Sequence, residues 1–224
     1  MVRRLTLILT LAPAPTLTLT LTLTPTRYAA AASGPKDVVL VIDTSGSMAS
    51  GGLNTMAKEA AKLVIDTLTA VDYVTIVRYS TDASASSSTL EQATDANKTA
   101  LKVWIDNNID ASGQTNFRAA FEKAWEVVDA TNASSGCNRI MLFLSDGAPI
   151  PAWTDSDSDS LMTKAASYDP PMHVLTYGLG SSARAVDLKA IACRGNGIYY
   201  SVTADTIANT MASYFQVCIA RLDG

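Results

Sequence analysis

At 224 residues the chain is long enough to bury a sizeable core, and its length fits one domain with a tail. A net charge of -4 with no basic cluster excludes nucleic acid as an expected partner, and a charged fraction of only 17% fits an extracytoplasmic surface of Ser, Thr, Asn and Ala better than a cytosolic one. Three cysteines without a C-x-x-C pair give no support to a zinc or redox centre, and the single histidine, His173, leaves little room for a Ser-His-Asp triad or a His-based metal site.

Residues 1–32 differ from the rest. Arg3 and Arg4 precede the apolar run Leu5–Ala12, and small residues follow at Ala12, Ala14 and Ala29 to Ala32. These are the parts of a secretory signal peptide, here with a Leu-Thr alternation from Leu17 to Thr24. Composition alone also allows a low-complexity tail or a misplaced start. Pro13, Pro15 and Pro25 interrupt the segment, so it does not read as a spanning helix.

The domain is expected over 37–219. Val38-Val39-Leu40-Val41-Ile42, four of them β-branched, read as a strand buried on both faces. A helix is predicted over 54–70 with Met56, Ala60, Leu63, Val64, Thr67 and Leu68 inward. An alternating strand over 73–79 precedes a small polar loop over 80–88 and a short edge strand within 89–93. Thr94 or Asp95 then caps a helix to Asn108. The next helix spans 117–129 with Phe117, Ala120, Phe121, Ala124 and Val128 inward. Ile140 to Leu144 form the second strongly apolar strand. Asp155 to Ser160 repeats Asp-Ser; it lacks the Gly and closing Glu of an EF-hand loop and reads as a solvated loop or helix N-terminus. Helices over 161–168, 181–193 and 204–219 alternate with strands over 172–178 and 198–202. His173, in an apolar stretch, reads as a packed core residue.

This alternation predicts an α/β fold: a three-layer, doubly wound, mostly parallel sheet of about six strands, with right-handed crossovers. Every strand-to-helix loop of such a sheet lies on one edge, where open α/β sheets bind ligands. Asp43, Ser45, Ser47, Thr115 and Asp146 all stand in or beside such loops. Asp43-x-Ser45-x-Ser47 can aim three oxygens at one point, and hydroxyls with carboxylates suit a hard cation, Mg²⁺ first, with Ca²⁺ or Mn²⁺ as alternatives. Read alone, the same stretch serves equally as a turn whose Ser and Asp cap the next helix.

Asp43-Thr44-Ser45-Gly46-Ser47, Gly113-Gln114-Thr115 and Ser145-Asp146-Gly147 together resemble the von Willebrand factor A (VWA) domain. In that family the three loops form the metal-ion-dependent adhesion site. Cys137 to Gly147, Thr176 to Gly180 and Ile191 to Tyr200 are further similar to the VWA domains of voltage-gated calcium channel alpha-2/delta subunits and their relatives, where the domain adjoins Cache domains. No Cache-like segment is present in the sequence, so the chain reads as a stand-alone domain or as a fragment. The resemblance implies direct coordination by Ser45, Ser47 and Thr115, with Asp43 and Asp146 close by, often through water. It implies a protein ligand that presents an acidic residue to the metal; the leader-like segment and the low charge point to an extracellular or secretory location.

Two other function classes compete. A carboxylate after a buried strand also marks the aspartyl nucleophile of phosphoryl-transfer hydrolases, but those place a second Asp where Ser45 stands, and no G-x-S-x-G elbow or phosphate-binding loop occurs. A structural module whose metal only stiffens the loops is the third reading. Asn97-Lys98-Thr99 and Asn132-Ala133-Ser134 match the N-glycosylation pattern. Cys137, Cys193 and Cys218 are each expected at the end opposite the metal, where outside the cell two of them can pair or one can link to another chain, and inside it all three serve equally as buried free thiols.

Overall fold

The structure is a computed structural model that describes residues 34–180, 183–203, 206–212 and 214. The expected leader over 1–32, Cys218 and the end of the closing helix lie outside the described residues. The elements in chain order are β1 Lys36–Asp43, a 3-10 turn Gly46–Ala49, α1 Leu53–Thr67, β2 Tyr73–Tyr79, β3 Ala83–Ala85, β4 Glu91–Gln92, α2 Asp95–Asn108, α3 Phe117–Ala130, β5 Asn138–Ser145, α4 Asp155–Ala166, β6 Met172–Leu179, α5 Ala185–Arg194, β7 Tyr199–Val202 and α6 Ile207–Ala212.

These strands form one sheet in the order β3-β2-β1-β5-β6-β7, with β4 also paired to β2. β1 pairs in parallel with β2 and β5, β5 with β6, and β6 with β7; β3 and β4 run antiparallel to β2. All eight residues of β1 are buried because helices cover both faces. Val38, Leu40 and Ile42 pack toward α1, α2 and α6, and Val39 and Val41 toward α3, α4 and α5. The alternation within one strand therefore feeds two cores, giving the expected three layers.

The register sets the functional edge. Asp43 lies level with Tyr79 on β2, and Ile42 lies level with Leu144 on β5. The ends of β1 and β5 therefore open on the same rim, and Asp43 and Asp146 emerge side by side although 102 residues separate Asp43 from Ser145.

Several local expectations need correction. The stretch read as loop contains β3, a strand of small residues held by pairing to β2 rather than by an apolar pattern. The buried stripe of α1 is Ala57, Ala60, Ala61, Val64 and Ile65, and Leu63 is 40% exposed. Alanine is a weak hydrophobic signal, so the bulkier residues pull the inferred stripe off its true face. Of the two readings of the Asp-Ser repeat the structure takes the helix N-terminus: the repeat is the first half of α4, begun by a capping box between Thr154 and Asp157. His173 is half-buried at the start of β6, with Nδ1 3.1 Å from the Asn196 carbonyl, not packed in the core.

Candidate metal centre

At the rim, Asp43 anchors a network of oxygens. Its Oδ1 accepts from the Ser45 backbone N–H at 2.8 Å, which folds the chain back into the 3-10 turn. Its Oδ2 accepts from Ser145 Oγ at 2.6 Å and from Tyr79 Oη at 3.3 Å. Ser47 Oγ donates to Asp146 Oδ1 at 2.8 Å and lies 3.1 Å from Ser45 Oγ. Four of the five expected site residues are thus joined through side-chain or backbone bonds.

Thr115 arrives from a third loop. The Gly46 N–H donates to the Gly113 carbonyl at 3.0 Å, and the Ser112 N–H donates to the Thr44 carbonyl at 2.7 Å, lacing this loop to the first. Gly113 takes φ +78°, and a Cβ there would meet Thr81 Oγ1 at 2.8 Å, so only glycine permits the approach. Gly147 marks where the loops converge: a Cβ built on it would lie 3.1 Å from Thr115 Oγ1 and 3.5 Å from Ser47 Oγ. A side chain there would occupy the space into which the hydroxyls point.

The burial is steep. Asp43, Ser45 and Asp146 are almost fully buried, Thr115 nearly so, and Ser47 is exposed. The site therefore has a deep carboxylate floor and one open side. Burial pushes the Asp43 carboxyl up to about 6 from 3.8, against the lowering effect of the Ser145 and Ser45 hydrogen bonds and reinforced by the nearby Asp146 charge. Burial raises Asp146 as well, while the Ser47 hydroxyl pulls it back. Burial, with the Asp43 charge beside it, holds the Tyr79 phenol well above its ordinary value, so it stays a hydrogen-bond donor.

The other buried carboxylates are treated differently. Asp37 faces Arg139 at 3.4 Å, Asp72 faces Lys36 at 3.2 Å, and Asp187 faces Arg184 at 3.0 Å. Among the described residues, Asp43 and Asp146 alone of the buried aspartates lack a basic partner. A buried charge is costly unless paired or metal-bound. The donor set fits a hard cation: all oxygen, two of them carboxylates. No cluster of three or more His, Cys, Asp or Glu occurs among the described residues, so the hydroxyls of Ser45, Ser47 and Thr115 are needed to complete the donor set.

A family model, the von Willebrand factor type A domain, matches residues 37–213. The chain belongs to that family. Its VWA relatives include the human voltage-dependent calcium channel subunits alpha-2/delta-3, 29% identical over 82% of this chain, and alpha-2/delta-2, 28% identical over 78%. The chain spans only 17% and 15% of their lengths. The uncharacterized protein YfbK of Escherichia coli K12 is 31% identical over 73% of the chain and 28% of its own length. Among solved structures, a von Willebrand factor type A protein from Catenulispora acidiphila superposes with TM-score 0.70 at 21% identity, covering 81% of this chain and 42% of that one. Proximal thread matrix protein 1 from the mussel byssus, described with a zinc-occupied MIDAS motif, gives 0.65 at 19% identity, covering 84% and 46%. Those two likenesses carry the fold.

Tyr79 stands in no motif of the sequence, and Ser145 is visible there only as a letter of the Ser-Asp-Gly motif. Tyr79 leaves no local signal, because it reaches Asp43 from the neighbouring strand. Cys137, just before β5, and Cys193, in the last turn of α5, are exposed and carry free thiols. Asn132 is exposed beyond the end of α3, whereas the Asn97 amide donates to the Gln92 carbonyl at 2.9 Å. No helix among the described residues is long and apolar enough to cross a membrane.

Proposed function

We propose that this VWA domain is a divalent-cation-dependent protein-binding module, not an enzyme, in which Asp43, Ser45, Ser47, Thr115 and Asp146 hold Mg²⁺, with Ca²⁺ or Mn²⁺ as substitutes. The observation that carries it is a pair of buried aspartates without a basic partner, ringed by hydroxyls, while the other buried aspartates among the described residues are ion-paired. When bound, the ion supplies an electrophilic coordination position for an outside oxygen. The chain's own residues prepare that position. Asp43 and Asp146 balance a divalent charge from below, the hydroxyls contribute neutral oxygens, and exposed Ser47 leaves the upper side open. An acidic side chain of a partner protein is the group that fits. That opening favours partner binding over a buried metal that only stiffens loops.

The reading extends to a domain over 37–219, a secretory or extracellular location with residues 1–32 as leader, and a role in an assembly like that of the calcium channel relatives. Any disulfide would join Cys218 to Cys137 or Cys193, or one of them to another chain, and Asn132 is the better placed glycosylation site. Mg²⁺ should raise the melting temperature of the wild type, following RT ln(1 + [Mg²⁺]/Kd). Asp43→Ala should abolish both this shift and Mg²⁺-dependent capture of protein partners. A wild-type melting curve indifferent to Mg²⁺, Ca²⁺ and Mn²⁺ would count against the proposal.

A further inference from the structure

The loop after Asp146 reads Gly147-Ala148-Pro149-Ile150-Pro151-Ala152-Trp153 and contains no charged, hydroxyl or amide side chain. Ala148, Ile150, Pro151 and Ala152 are exposed, and Ile150 is 52% exposed. Three consecutive exposed apolar residues are unusual on a soluble surface outside a binding site.

The loop is also fastened in place. The Ile150 N–H donates to the carbonyl of Thr115 at 2.7 Å. Arg118 Nη2 donates to the Ala152 carbonyl at 3.2 Å, while its guanidinium forks onto Asp157 and lies 5.9 Å from the centre of the Trp153 ring. Trp153 is buried against Phe117 and Phe121 and donates Nε1 to Ser158 Oγ at 2.6 Å. Pro149 and Pro151 restrict the backbone on both sides of Ile150. The exposed face is therefore a rigid apolar ledge, attached through one hydrogen bond to the residue whose hydroxyl faces the metal centre.

We propose that Ile150, with Pro151 and Ala152, selects the residue beside the partner's acidic group. The occupant is a peptide segment in which an Asp or Glu has a branched aliphatic or aromatic neighbour one or two positions away. The proposal rests on the cation-dependent reading of the site. An extended peptide advances about 3.3–3.6 Å per residue, so one or two residues from a carboxylate held at the rim span the short step from Thr115 to the loop hydrogen-bonded to it. Because the ledge is already ordered, little conformational entropy is lost when it is covered.

The test is a panel of peptides, each with one fixed Asp and one varied position within two residues of it, captured by the full chain in Mg²⁺ or chelator. Wild type should retain peptides carrying Ile, Leu or Phe about 5- to 10-fold better than those carrying Ser or Lys. Ile150→Ser should flatten that preference while leaving the Mg²⁺-induced melting shift intact, and Ile150→Leu should restore it. Equal selection by wild type and Ile150→Ser overturns the proposal, as does wild-type capture with no preference beside the Asp. Mg²⁺-independent or absent capture by wild type overturns the function above together with this inference. Ile150 is exposed, so its substitution should leave folding unchanged, and the unaltered melting shift verifies that.

Discussion

Asp43 is held in a state that burial disfavours, and its titration should be visible in stability. Its folded value of about 6 lies above the ordinary 3.8, so between these limits the metal-free native state binds more protons than the unfolded chain. The sign follows: this contribution is fully present below pH 4 and is lost as pH rises through 6, amounting to about 2–3 kcal/mol. Urea unfolding in chelator from pH 4 to 7 should therefore show wild type losing stability relative to Asp43→Asn as pH increases. Saturating Mg²⁺ should remove the difference in slope, since a bound cation favours the ionised carboxylate. Asp157 does not confuse the measurement, because the Arg118 hydrogen bond holds it down to about 2, below the window. Asp43 itself was legible from sequence, as a carboxylate ending a fully apolar run. Its raised value was not, because that depends on Ser145, Asp146 and the neighbouring strand's Tyr79.

At the scale of elements, strands and helices with strong period were readable, and those made of small or polar residues were not. β1, β2 and β5 announce themselves by continuous or alternating apolar residues, and α3 by Phe117, Phe121 and Val128. β3 is Ala-Ser-Ala and exists because β2 offers it an edge. The Asp-Ser repeat left a solvated loop and a helix N-terminus both open for the early turns of α4, and its purpose appears only in three dimensions. Asp157 closes the capping box and receives the Arg118 fork from α3, while Asp155 and Asp159 both meet Arg194 of α5. These contacts are not equal. Asp157→Ala removes a cap and leaves the partly covered Arg118 without its carboxylate, and should cost about 1–2 kcal/mol in urea unfolding. Because Arg118 also holds the Ala152 carbonyl, the same variant should blur the peptide preference assigned to Ile150. Arg194→Ala breaks two solvent-exposed pairs and should change little. An equal loss in both variants would mean that net charge, not the cap, governs α4.

For the molecule as a whole, the two ends of β1 carry opposite electrostatic designs. At its start, Lys36 and Asp72 are both buried and paired at 3.2 Å, and Asp72 also accepts from the Lys36 and Thr69 backbone N–H groups at 3.0 and 2.7 Å. This end is complete without any ligand. Asp72→Ala strands a buried ammonium and should cost about 3–5 kcal/mol, a large share of the 5–15 kcal/mol that holds a typical domain together. At the other end, Asp43 and Asp146 lie together without a basic residue among the described residues, and in the proposed function the cation supplies the missing positive charge. Asp43→Asn keeps the shape of the side chain and removes one of the two negative charges. In chelator at pH 7 it should therefore melt no lower than wild type, whereas in saturating Mg²⁺ it should melt below it. The crossing of the two curves separates a rim shaped for a cation from one whose aspartate serves structure alone: if Asp43→Asn is destabilised by the same amount with and without Mg²⁺, the carboxylate acts only as a hydrogen-bond acceptor for Ser45, Ser145 and Tyr79.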